Sequence, residues 1–126
     1  MSDLVRGMAA AAAGMEAQTR RLRHVTENIA NADTPGYRRK LVAFRADGEG
    51  GTIRPSAPHL DPRPVQRIFE PHHPLADETG HRDGSNVDLV VEIADARQAQ
   101  RSYEANLRMF DQARQMTQSL LDLLRR

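Results

Sequence analysis

The chain has 126 residues, one domain's worth and near the lower end for a self-sufficient core. Its net charge of +1 at pH 7 provides no global field to draw in nucleic acid or anionic lipid. The absence of cysteine excludes disulfides, thiolate catalysis and Cys-based zinc sites, and no apolar run approaches membrane-spanning length, so no membrane insertion is expected.

The first predicted element is a long helix from about residue 3 to 32. Apolar or small residues recur at Met1, Leu4, Met8, Ala11, Met15, Leu22, Val25, Ile29 and Ala32, spaced alternately by three and four, with Gln18 the one polar member. That is a heptad stripe on one helix face. Gly7, Gly14 and the alanines from Ala9 to Ala13 leave another side nearly bare. Such a side either frays as a weak surface segment or lets another backbone approach closely. Met8 to Met15 has the apolar look of a secretion signal. However, Asp3 stands where positive charge belongs and the stripe runs through the would-be cleavage region, so no cleaved signal is expected.

The helix closes on Asn28-Ile29-Ala30-Asn31-Ala32-Asp33-Thr34-Pro35-Gly36-Tyr37. Asn31, Asp33 and Thr34 offer side chains that compete with helical backbone bonds. Pro35 removes a donor and biases Thr34 away from the helical region. Gly36 permits positive φ, so Thr34 to Tyr37 reads as a type II turn.

From about 38 to 85 the chain changes character and holds every proline except Pro35. Arg38 to Phe44, Thr52-Ile53-Arg54 and Pro64 to Phe69 are short strand candidates, with Gly48-Glu49-Gly50-Gly51 a flexible turn between the first two. Pro55, Pro58, Pro62 and Pro64 confine these strands to edges or break them. Pro71 to Pro74 should be extended, because each proline disfavours helix at the residue before it.

A second, longer helix is predicted from about 87 to 125. Ser85 or Asn86 is the expected N-cap, and Asp88 and Glu92 suit the positive end of the helix dipole. Its stripe runs Ala96, Ala99, Tyr103, Asn106, Phe110, Ala113, Thr117, Leu120 and Leu124, widened by Ile93, Leu107 and Leu121. Two rods can bury only one shared seam, so the widening line is left over for partner helices.

Candidate chemistry is thin. His59, His72, His73 and His81 gather near Asp77, Glu78 and Asp83, but without recognisable metal-ligand spacing, and read as solvated loop residues. No phosphate loop or paired nucleophile and base is present in the sequence, so neither catalysis nor a cofactor is expected. Arg20, Arg21, Arg23, Arg38, Arg39 and Lys40 read as a solvated face. A nucleic-acid-binding or regulatory helical protein is the alternative, and would form a salt-sensitive complex.

Asn28-Ile29-Ala30-Asn31 followed by Thr34, Gly36 and Tyr37 resembles the N-terminal signature of the bacterial flagellar axial proteins, which form the rod, hook and hook-filament junction. The C-terminal half resembles the proximal-rod members of that family. It carries Phe69-Glu70-Pro71-His72-His73-Pro74-Leu75-Ala76-Asp77, then Gly80, then Asn86-Val87-Asp88, and later Arg101-Ser102-Tyr103-Glu104-Ala105-Asn106. The match is weakest from about Asp47 to Pro64, and His81-Arg82-Asp83-Gly84 departs from it. The resemblance implies a mainly α fold: the terminal helices paired as an antiparallel coiled coil, with a small irregular β-rich middle insertion. Residues 1–37, 38–85 and 86–126 would be the helix and turn, middle and second helix of one rod domain. It further implies a structural subunit of the basal-body rod that transmits motor torque to the hook. Its partners would be other rod proteins and copies of itself, and it would reach the periplasm through the flagellar type III export apparatus. The residues expected to carry assembly are Leu4, Met8, Met15, Leu22, Val25, Ile29, Asn31, Pro35, Gly36, Tyr37, Tyr103, Asn106, Phe110 and Leu120.

Overall fold

The computed structural model describes residues 2–48 and 51–126. Two helices dominate it, α1 (Ser2–Ala30) and α2 (Leu89–Leu124). At about 1.5 Å per residue they are roughly 44 and 54 Å long. They pack antiparallel. Arg21 Nη2 donates to Gln98 Oε1 at 3.0 Å, and Asn28 Nδ2 donates to Glu92 Oε2 at 3.3 Å. Further along, Gly14 meets the side chain of Asn106. Carried to the start of α1, this register sets Ser2 beside Gln118. The last turn and a half of α2 therefore has no α1 residue opposite it among the described residues.

The seam departs from the expected heptad filling. Its buried members on α1 are Ala11, Gly14, Ala17, Val25 and Asn28, and on α2 Glu92 and Ala99. Leu4, Met8, Met15 and Leu22 are half-buried at its margin, as are Asn106, Phe110, Ala113 and Thr117. Ile29, expected in the stripe, is exposed and Asn28 takes the inward place, because the packed face of α1 drifts by one residue toward its C-terminus. Tyr103 and Leu120 are likewise on the exposed side. Small side chains let the two backbones come close, and the larger apolar ones are pushed outward.

The N-cap of α2 is Asp88, not Ser85 or Asn86. Its backbone is extended (φ −109°, ψ 112°) and its carboxylate accepts from Val90 N at 3.0 Å. Ser85 and Asn86 are engaged in tertiary bonds instead.

The middle segment forms three two-stranded antiparallel sheets. β1 (Lys40–Leu41) pairs with β4 (His59–Leu60), β2 (Phe44–Asp47) with β3 (Thr52–Pro55), and β5 (Arg67–Phe69) with β6 (His81–Asp83). Lys40 faces Leu60, Phe44 faces Pro55 and Ile68 faces Arg82. The predicted strand from Arg38 to Phe44 is thus two strands, broken at Val42-Ala43. Pro55 cannot donate to the ladder, and Ser56 takes over: its N–H donates to Ala43 O at 2.7 Å and its Oγ accepts from Ala43 N at 3.0 Å. β4 and β6 carry histidine, proline-flanked or charged sequences with no alternation, so they were not anticipated. Gly48 and Gly51, both at positive φ, flank the β2–β3 turn, whose Glu49 and Gly50 lie outside the described residues. Pro71 to Pro74 is not extended. His73 N donates to Glu70 O and Ala76 N to His73 O, each at 3.0 Å, so the segment winds through successive turns. β1 and β3 lie against α1, which brings the middle segment onto one helix. Helix makes up just over half of the chain, so the fold is a helix pair with a small β-containing middle, and the mainly α description holds only in part.

Candidate assembly site at the helix junction

The chain leaves α1 as the sequence implied. Asn31 N and Nδ2 both donate to Glu27 O, at 3.0 and 2.8 Å, and Thr34 Oγ1 donates to Asn31 Oδ1 at 3.1 Å. Tyr37 N donates to Thr34 O at 3.1 Å, and Gly36 has φ +75°, which together define the type II turn. Gly36 N also donates to Gly84 O at 2.9 Å, tying the turn to the end of β6. Pro35 and Gly36 are exposed, while Tyr37 is half-buried. A Cβ at Gly36 would meet nothing within 4 Å, so the requirement for glycine is purely conformational. Gly36→Val should lower stability by about 1–3 kcal/mol, and Gly36→Asn by clearly less. Thermal unfolding of the two variants checks the order, and equal melting temperatures would count against it.

Behind the turn lies a buried polar network that the sequence did not announce. Asn28, 1% exposed, is its centre. Its Oδ1 accepts from Tyr37 Oη and Lys40 N, both at 2.8 Å, and its Nδ2 donates to Lys40 O at 3.0 Å and to Glu92. Burial pushes the Tyr37 hydroxyl up from its ordinary value, which keeps it a neutral donor. Glu92, fully buried, takes Arg39 Nε at 2.6 Å. The same guanidinium reaches Asp95 at 3.3 Å and Asp61 at 3.6 Å. Arg39 N donates to Asn86 Oδ1 at 2.7 Å, and Asn86 Nδ2 donates to Asp61 O and Arg63 O. Ser85 Oγ donates to Ala32 O, closing the junction from α2's side. Arg39 is therefore buried structure and not part of a solvated basic face, and Arg21 and Lys40 are paired with Asp95 and Glu27.

Asp61 is held at about 2 by the Arg63 side chain, the Arg63 backbone N–H and Arg39. Because its carboxyl lies below the unfolded value of 3.8, its stabilisation is present above pH 4 and is lost as pH falls toward 2. Melting temperature should drop across that window. Asp61→Asn should flatten that part of the profile, and an unchanged slope would refute the assignment.

The predicted residues do not form one cluster. Asn31, Pro35, Gly36 and Tyr37 gather at the junction. Leu4, Met8, Met15, Leu22 and Val25 run along α1, and Asn106 and Phe110 face them from α2. Ile29, Tyr103 and Leu120 present themselves outward. The histidines are also separate: His59 lies in β4, His72 is exposed, His73 Nδ1 accepts from Leu75 N, and His81 packs on Phe69 with ring centroids 5.2 Å apart. Sequence reasoning named Asn28 only within the signature, placed Arg39 on a solvated face and Glu92 at the helix dipole, and did not name Asp61, so it missed the network they form. A signal for Glu92 existed, since the α2 stripe carried back four residues from Ala96 lands on it.

A helix pair with exposed apolar margins, joined through a locked polar turn, has the architecture of a structural subunit that packs against others. Two family comparisons agree. Residues 8–38 match the family described as flagella basal body rod protein, and residues 78–123 match the flagellar basal body rod FlgEFG protein C-terminal family. The chain is 42% identical to the flagellar basal-body rod protein FlgC of Agrobacterium fabrum, covering 91% of both chains. It is 32% identical to FlgC of Salmonella typhimurium over 90% of this chain and 92% of that one, and 32% identical to FlgC of Aquifex aeolicus over 87% and 89%. The chain belongs to the FlgC family of flagellar basal-body rod proteins, and is a structural rod subunit.

Proposed function

We propose that the subunit assembles helically with copies of itself and with other rod proteins, and that the resulting tube carries motor torque to the hook across the periplasm. Export by the flagellar type III apparatus, without a cleaved signal, is part of this reading. Residues 1–37 and 86–126 act together as the packing element, and 38–85 as the side piece that bridges neighbours. The observation that carries the proposal is the inverted distribution of side chains. Small and polar residues fill the middle of the intramolecular seam, whereas Leu107 and Leu121 on one margin of it and Met109, Met116 and Leu120 on the other stay exposed along α2. Apolar margins of this kind favour contact with other helices. Load shared over many such seams suits a shaft, and no residue is asked to perform chemistry.

The test uses Leu107→Asp and Leu121→Asp. Leu107 and Leu121 are 42% and 36% exposed in the single chain, so the fold should survive both changes with a loss of about 1–2 kcal/mol, checked by melting temperature. Incorporation into basal bodies, scored in a strain lacking the native protein, should fall sharply, since a charge buried at an interface costs several kcal/mol. Normal incorporation of both variants would remove the basis of the proposal.

A further inference from the structure

We infer that the leucine-rich end of α2 on one copy docks on the Phe69–Leu75 loop of a second copy, which makes the contact head-to-tail. The inference rests on the assembly reading above and names the two faces that meet.

The loop between β5 and β6 is a built platform. Asp77 Oδ1 accepts from Thr79 N at 2.9 Å, Thr79 Oγ1 at 2.6 Å and His81 N at 3.1 Å. Arg67 donates to Asp83 at 2.8 Å and also to Asp77, while Arg82 Nε and Nη2 grip Glu70 at 3.0 and 3.2 Å. Gly80, at φ +81°, lies so near the Phe69 ring that a Cβ there would stand 2.9 Å from it. Three carboxylates and two guanidinia are thus paired within the loop, although all but Arg82 stay substantially exposed. Beside these pairs it displays apolar groups: Phe69 is 65% exposed and Leu75 63%. Beside them opens a cleft of about 530 Å³ lined by Phe69, Glu70, Pro71, His72, His73 and Pro74. Cross-linked by ion pairs, with exposed apolar groups and a net negative charge, the loop has the character of a docking surface.

The complementary surface is at the other end of the molecule. Residues 119–124 overrun α1 and carry Leu120, Leu121, Leu123 and Leu124, of which Leu123 is 63% and Leu124 78% exposed. They cannot reach the loop of their own chain. The loop is rooted where α2 begins, through Gln66 N to Ser85 O and Gly36 N to Gly84 O, and α2 separates the two by roughly 54 Å. The occupant must come from another molecule. Charge favours a second copy: Arg125 and Arg126 follow the leucines, and the loop presents Glu78, which has no ion pair among the described residues. A contact between two different patches of the same chain is heterologous and repeats from copy to copy, as a ring or as an open array.

The natural absence of cysteine makes the test direct. The full chain carrying Leu75→Cys and Leu123→Cys together, oxidised in purified form and in isolated basal bodies, should give a ladder of disulfide-linked oligomers. Either single variant should remain chiefly monomeric. Glu78→Arg added to the double variant should reduce the ladder by up to about fivefold, and Arg125→Glu with Arg126→Glu should restore it. Cross-linking of the single variants as strong as that of the double variant would overturn the inference. So would a double variant that enters basal bodies at the native level but forms no ladder, an outcome that leaves the assembly reading standing. Absence of the native chain itself from basal bodies would instead defeat that reading, and this inference with it.

Discussion

Replacing Arg39 by methionine should destabilise the subunit by about 3–5 kcal/mol, the largest loss expected of any single change considered. The side chain is 8% exposed and supplies the only guanidinium in contact with Glu92 among the described residues. Removing it leaves a carboxylate without solvent and without a counter-charge, next to Asp61 and Asp95. The comparison that isolates this cause is the double variant Arg39→Met with Glu92→Met. It deletes both charges and should lose less than Arg39→Met alone, because the desolvation penalty goes with the unpaired ion. Urea unfolding of the purified chain reads both quantities from the midpoint at constant slope. If the double variant were the less stable of the two, the network would be stabilising through geometry and not through charge compensation.

The second large effect concerns two glycines one heptad apart with opposite expected signs. Gly7 has nothing within 4 Å of the place a Cβ would occupy, so Gly7→Ala should stabilise by about 1 kcal/mol from helix propensity alone. At Gly14 the same Cβ would stand 2.6 Å from Asn106 Nδ2 and 2.8 Å from its Cγ and Oδ1. Asn106 has little freedom to yield, since Nδ2 donates to Ser102 O at 2.9 Å. Gly14→Ala should therefore cost about 1–3 kcal/mol through overpacking, against the propensity gain. All three clashing atoms disappear in Asn106→Ala, so the double variant should recover the loss. A double-mutant cycle on thermal or urea unfolding measures the coupling. Additive effects would mean the helices separate freely at this point.

The extent to which this structure could be read from the chain follows from which signals are local. The helix termini, the turn at Thr34 to Tyr37 and the proline-broken middle rest on residues adjacent in sequence, and the structure has them within a few positions. The N-cap was misplaced because Ser85, Asn86 and Asp88 are all capable caps. The choice among them depends on Ala32 and Arg39, which claim Ser85 and Asn86 from far away in sequence. The seam was misread for a similar reason. A heptad of apolar residues states which face is greasy, but not whether that face meets its own chain or another. Here Gly14 against Asn106 draws the helices together on small residues, Ile29 falls outside a packed face that drifts to Asn28, and Leu120 lies where no described α1 residue stands opposite. Arg39 was assigned to water because a run of basic residues normally is. Its three carboxylate partners come from positions 61, 92 and 95, and only folding brings them together.

The small-residue seam also has a calorimetric consequence. Alanine and glycine expose little apolar area when two helices part, and the heat-capacity increment of unfolding grows with that area. The isolated subunit should accordingly have a flat stability curve, with an increment below the usual value of about 12–15 cal/mol/K per residue. The exposed leucines and methionines of α2 carry the missing increment into association. Temperature would then act on the joints between subunits more than on the subunits, and a rod made this way would loosen on cooling before its components unfold.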